Sequence, residues 1–205
     1  MLEDMKLVAI IREVEPEQVS GIVRVLLEEG IHSLEISLSG EEMGFGCLER
    51  IQKEFAGEML QLGAGTVTEK AQVNRLSDMG ISFLLTPGYD DEIVSYALSM
   101  GIEVLPGVLT PTEVQQALKR GITRMKLFPA DAYGMNYIKS LKGPFPQAEF
   151  VAVGGVREDN IKEFLRMGFQ GVAIGSNLVP KRAGEKNLEE IRARARAYVL
   201  AVNEG

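Results

Sequence analysis

Short apolar runs punctuate the chain at Leu7–Ile11, Ser33–Leu38, Met59–Leu62, Ser82–Thr86, Glu103–Val108, Arg124–Phe128, Phe150–Val153 and Gly171–Ile174. Several are apolar at consecutive positions, the pattern of parallel strands covered on both faces. Between them the apolar period changes to that of a helix. Over Pro16–Glu29, for example, Val19, Ile22, Val23, Leu26 and Leu27 fall on one face. Helical stretches end repeatedly in Gly followed by Ile or Phe, at Gly30, Gly80, Gly101, Gly121 and Gly168. Glycine there supplies the left-handed residue that closes a helix. Thr110-Pro111-Thr112-Glu113 reads as a helix start, and Glu185–Asn203 as a closing helix. Eight strands alternating with helices predict a (β/α)8 (TIM) barrel, a single domain over residues 1–205. A doubly wound open sheet is the alternative. In a barrel, chemistry sits at the C-terminal ends of the strands and in the loops that follow.

Against that frame the polar residues inside strands stand out. In Arg124–Phe128, Met125 and Leu127 share one face and Arg124, Lys126 and Phe128 the other. With the Met/Leu face against the helices, Lys126 points inward. Burial, reinforced by Arg124 on the same face, should then depress its pKa and leave an amine able to attack a ketone. A lysine snorkelling out of a strand end is the plainer reading. In the second strand Leu34, Ile36 and Leu38 share one face, and Ser33, Glu35 and Ser37 the other. A buried glutamate costs several kcal/mol, on the order of the buried-charge penalty, unless it is partnered or protonated. An inward salt bridge would explain it. So would a carboxyl that shuttles protons beside an amine nucleophile, and Glu35 and Lys126 are expected near the same end of the barrel.

Composition narrows the chemistry further. One His (His32), one Cys (Cys47) and no Trp among 205 residues leave no set for a His/Cys zinc site or an internal disulfide. A triad would have to run through His32, which starts the second strand at the end away from the active loops. Cys47 falls in a helix with no evident role. The formal net charge of −7 argues against nucleic acid as a partner. No apolar run is long enough for a membrane span, and the start has no basic signal-peptide region, so a cytoplasmic protein is expected.

An anionic substrate would be held by local donors. Val153-Gly154-Gly155-Val156 ends the seventh predicted strand and Ile174-Gly175-Ser176-Asn177 the eighth. Loops at those two places often bind phosphate in barrels, and Ser176 adds a hydroxyl. Gly63-Ala64-Gly65-Thr66-Val67 ends the third, where Thr66 either donates to a carboxylate or caps a helix. Arg12 ends the first and either clamps an anion or lies on the surface.

Taken in order, Leu34-Glu35-Ile36, Gly63-Ala64-Gly65-Thr66-Val67, Pro106-Gly107-Val108, Lys126-Leu127-Phe128-Pro129-Ala130, Lys142-Gly143-Pro144-Phe145-Pro146, Gly154-Gly155-Val156 and Gly175-Ser176 resemble the 2-keto-3-deoxy-6-phosphogluconate/2-keto-4-hydroxyglutarate (KDPG/KHG) aldolase family. The resemblance covers nearly the whole chain. It implies a homotrimeric barrel with a class I mechanism that needs no metal or cofactor. Its substrate would be a small keto acid, cleaved to pyruvate and glyceraldehyde 3-phosphate or glyoxylate. It also implies Lys126 as the Schiff-base lysine, Glu35 as general acid/base and Thr66 on the substrate carboxylate. Gly154, Gly155, Gly175 and Ser176 would bind phosphate, assisted by Arg12. Two positions depart from the phosphogluconate pattern: Ser39 stands where many relatives carry Arg, and Val153 where they carry Thr. The run Ala152–Val156 is similar to the sister enzyme for the C4 epimer, 2-keto-3-deoxy-6-phosphogalactonate. A sugar-phosphate epimerase or decarboxylase without a Schiff base, and a phosphate-ligand binding protein, are the more distant alternatives.

Overall fold

A computed structural model describes residues 5–204. All nine of its strands are parallel: β1 (Leu7–Ile11), β2 (Ser33–Ser37), β3 (Gln61–Gly65), β4 (Phe83–Leu85), β5 (Glu103–Leu105), β6 (Gly107–Val108), β7 (Arg124–Leu127), β8 (Glu149–Val153) and β9 (Gly171–Ile174). Their order is β5-β4-β3-β2-β1-β9-β8-β7-β6. The two end strands, β5 and β6, are consecutive in the chain and flank Pro106. They are two halves of one barrel strand. Proline has no N–H to give the ladder, so the strand breaks there. Its carbonyl still accepts from Lys126 N at 2.9 Å. β5 pairs with β4 and β6 with β7, which closes an eight-position barrel around the break.

Helices α1 (Pro16–Glu28), α2 (Glu41–Glu54), α3 (Lys70–Asp78), α4 (Asp91–Ser99), α5 (Pro111–Lys119), α6 (Tyr137–Lys142), α7 (Ile161–Arg166) and α8 (Leu188–Asn203) cover the outside. Their ends follow the sequence signals. Thr110 and Glu113 form a capping box on α5, with Pro111 in its first turn. The five expected cap glycines all have positive φ, from +71° at Gly80 to +101° at Gly168. The closing helix begins three residues later than expected, because Glu185–Asn187 is a 3-10 turn. Among the described residues no helix is long and apolar enough to cross a membrane.

The strands separate two cores. Outward residues such as Ile36, Ala64, Met125 and Val172 pack with the helices. Inward residues Val8, Ile10, Phe83, Leu85, Leu105, Val151, Val153 and Ala173 form a smaller cluster inside the barrel. Cys47 belongs to the outer core. Its thiol donates to Val14 O at 3.2 Å, and burial pushes its pKa up to about 12, which makes it inert.

β3 corrects one expectation. The strand runs over Gln61–Gly65 rather than Met59–Leu62, and Met59 is 83% exposed. The glycines read as weak strand formers, yet their inward positions are where neighbours need room. A side chain on Gly63 would overlap the Phe83 ring, and one on Gly65 the Glu35 carboxylate.

Candidate active site

β2 and β7 lie opposite one another: three barrel positions separate them on each side. Glu35 and Lys126 are the inward residues near their C-terminal ends, 1% and 5% exposed respectively. The inward direction follows from alternation, since Leu34, Ile36, Met125 and Leu127 all join the outer core. Each side chain senses the other's charge. Burial is the dominant influence on both. It pushes Lys126 below the usual lysine range, against the pull of Glu35 and with help from the Arg12 charge. It pushes Glu35 above the usual carboxylate range, against the pull of Lys126 and Arg12. Lys126 Nζ lies 4.9 Å from the centroid of the Phe128 ring. Glu35 Oε2 is buried with no hydrogen-bond partner, as is Arg12 Nε. Buried polar atoms are nearly always paired, and orphans at the mouth of a barrel are groups waiting for a ligand or water.

The cation acting on Lys126 is therefore Arg12, not Arg124. Arg124 is two residues nearer the other end of β7, with Nη2 donating to Met5 O at 2.8 Å. Two residues of strand set about 6–7 Å between them, so its charge falls on the wrong layer of the barrel.

The expected phosphate residues converge. Arg12, Gly154, Gly155, Gly175 and Ser176 all line one cavity of about 210 Å³, together with Phe128 and Val153. Gly154 and Gly155 have φ of +93° and +73°, a left-handed pair that turns the backbone after β8. Asn160 braces this loop: it is 8% exposed, its Nδ2 donates to Gly155 O at 2.9 Å and its Oδ1 accepts from Arg157 N at 2.8 Å. Asn177 Nδ2 ties the two loops together by donating to Val156 O at 2.9 Å. Neither Asn stood out in the sequence, because an Asn in a loop reads as turn chemistry.

Thr66 sits beside the end of β2 rather than in that cavity wall. Its φ is +60°, which strains a β-branched residue. Its Oγ1 is 3.1 Å from Ser37 Oγ, which in turn donates to Ser39 Oγ at 3.1 Å. Ser37 was visible in the sequence as the next inward position after Glu35, although no role was expected of it. His32 lies at the opposite end, with Nδ1 donating to Met59 O at 3.1 Å, as its place before β2 predicts.

The chain that carries this buried lysine and carboxyl resembles known proteins in sequence and fold. The family described as KDPG and KHG aldolase matches residues 1–194. The 2-dehydro-3-deoxy-6-phosphogalactonate aldolase of Escherichia coli is 33% identical over 98% of this chain and 96% of its own length. The 2-dehydro-3-deoxy-phosphogluconate aldolase of Pseudomonas aeruginosa is 34% identical over 74% of this chain and 68% of its own. The KDPG aldolase of Legionella pneumophila, solved with pyruvate captured at low pH as a covalent carbinolamine intermediate, superposes with a TM-score of 0.82 at 27% identity, covering 97% of this chain and 93% of its own. The chain belongs to the KDPG and KHG aldolase family, lyases that cleave carbon–carbon bonds.

Proposed function

We propose that this aldolase works through a Schiff base on Lys126 and cleaves a 2-keto-3-deoxy-6-phospho sugar acid to pyruvate and glyceraldehyde 3-phosphate, with 2-keto-4-hydroxyglutarate, giving pyruvate and glyoxylate, as a further substrate. The observation that carries the reading is the pairing of buried Lys126 with Glu35, whose Oε2 has no partner. The lysine's lowered pKa raises the share of free amine, and the carboxyl's raised pKa favours its protonated form. The amine attacks the C2 ketone. Glu35 donates the proton that expels water from the carbinolamine, and the ionised carboxylate then takes the C4 hydroxyl proton, directly or through a water. The C3–C4 bond breaks, and its electrons pass into the enamine on Lys126. Protonation at C3 and hydrolysis release pyruvate and restore the amine.

Thr66 would hold the keto-acid carboxylate. The backbone donors of Gly154, Gly155 and Gly175, with Ser176 and Arg12, would hold the phosphate. Incubation with pyruvate and borohydride tests the central step. A reduced pyruvyl adduct on Lys126, with loss of activity, is expected, and an unmodified Lys126 refutes it.

The C4 epimer, 2-keto-3-deoxy-6-phosphogalactonate, is a second reading favoured by one observation. Val153 brings an apolar side chain to the cavity wall where a threonine would bring a donor. The galactonate enzyme of Escherichia coli, matched over nearly its whole length, points the same way. The ratio of kcat/KM on the two epimers decides between them. Assembly as a homotrimer in the cytoplasm extends the reading from the family resemblance, and sedimentation velocity tests the trimer.

A further inference from the structure

We propose that Gly65 is a positioning residue for Glu35: the space left by its missing side chain is the seat in which the carboxylate lies. β3 turns Gln61, Gly63 and Gly65 inward, since Leu62 and Ala64 pack with the outer core. A Cβ built on Gly65 would overlap Glu35, whose Oε1, Cδ and Cγ are its three nearest atoms. Backbone conformation does not call for glycine there, because Gly65 is absent from the residues with positive φ. Space does.

The backbone has little freedom to yield instead. Gly65 pairs with Ser37 in the β2–β3 ladder, and its carbonyl accepts from Leu38 N at 2.8 Å. An added methyl group would therefore move the carboxylate rather than the strand. The bare backbone of Gly65 leaves the Glu35 side chain room to lie against β3. That arrangement keeps Oε2 unpartnered and in the field of Lys126. An acid/base displaced by about 1 Å loses on the order of a hundredfold in rate.

The inference rests on Glu35 as the acid/base, so its test separates the two. Gly65→Ala is expected to lower kcat by on the order of a hundredfold while KM changes less than about threefold. Glu35→Asp withdraws the carboxyl by one methylene. The Glu35→Asp/Gly65→Ala double variant should therefore be no slower than the worse single variant. Losses that multiply overturn the seat. Stability gives a second cycle: Gly65→Ala lowers Tm in the wild-type background but leaves it unchanged in Glu35→Ala, where the clashing atoms are gone. An equal loss of Tm in both backgrounds also overturns it. A Glu35→Gln variant with wild-type kcat refutes the acid/base reading and with it the positioning role. A crippled Glu35→Gln beside a fully active Gly65→Ala refutes the positioning role alone.

Discussion

The two ends of the barrel invert the usual relation between cavity size and chemistry. The larger cavity, about 640 Å³, is at the N-terminal end, lined by Lys6, His32, Ser33, Met59, Gln61 and Val199 among others. The cavity among the glycine loops after β8 and β9 is about 210 Å³. At the larger one two polar side chains find partners within the lining: Ser33 Oγ donates to Gln61 Oε1 at 2.8 Å, and His32 Nδ1 to Met59 O at 3.1 Å. Toward the C-terminal end Glu35 Oε2 and Arg12 Nε are buried without partners. A large pocket is the usual first guess for a site. Here the better guide is unmet hydrogen-bonding capacity, because a buried polar group left unpaired by the protein costs stability that a ligand or water must recover.

That contrast can be broken by substitutions at either end. The largest effect is expected from Lys126→Ala, which should abolish cleavage and the borohydride-trapped adduct while circular dichroism reports an intact fold. Retained turnover would remove the chemistry from the C-terminal end.

Next in size, Glu35→Gln should cost at least about a hundredfold in kcat, the low end for an acid/base group. It also carries a pH signature. Glu35 holds its proton to higher pH when folded than when unfolded, chiefly through burial. Unfolding thus releases a proton above the ordinary carboxylate range, so stability falls as pH rises through that window and stays lower beyond it. Gln has no such titration. The Tm of Glu35→Gln relative to wild type should grow more favourable as pH rises above the ordinary carboxylate range, about pH 4. A flat difference would show that burial leaves the Glu35 proton affinity unchanged, and a trend of the opposite sign would place Glu35 in an ordinary ion pair.

A smaller loss is expected from Ser176→Ala. It should raise KM for a phosphorylated substrate by about tenfold, the scale of one hydrogen bond to a charged group, and leave the pyruvate adduct unaffected. Smallest of all, His32→Ala at the large cavity should leave kcat/KM within about twofold. A loss to match that of Ser176→Ala would show that both ends serve the reaction.

Much of this was legible in the sequence because it depends on periods and end signals. Alternation alone turned Glu35 and Lys126 inward and assigned Met125 and Leu127 to the helices. The cap glycines and the Thr110–Glu113 box marked helix ends through local backbone chemistry. Local rules failed where one strand's residues are explained by another strand. Gly63 and Gly65 fell just beyond the expected strand Met59–Leu62, yet they are strand positions emptied for Phe83 and Glu35. Arg124 read as the neighbour of Lys126, while Arg12, far away in sequence, supplies the acting charge. Asn160 and Asn177 brace the two glycine loops through bonds that exist only once the loops meet.

The sequence by itself determined the alternation of strands and helices, the inward direction of Glu35 and Lys126 and the residues capable of amine and carboxyl chemistry. All of these follow from the two-residue period of a strand and from side-chain type. Only the tertiary structure decided that β2 and β7 face one another, that β5 and β6 are one strand broken at Pro106, and that five distant residues share one cavity. Barrel closure sets which strands are opposite, and no local period encodes it. Desolvation, which sets the proton affinities of Glu35 and Lys126, likewise exists only inside the closed barrel.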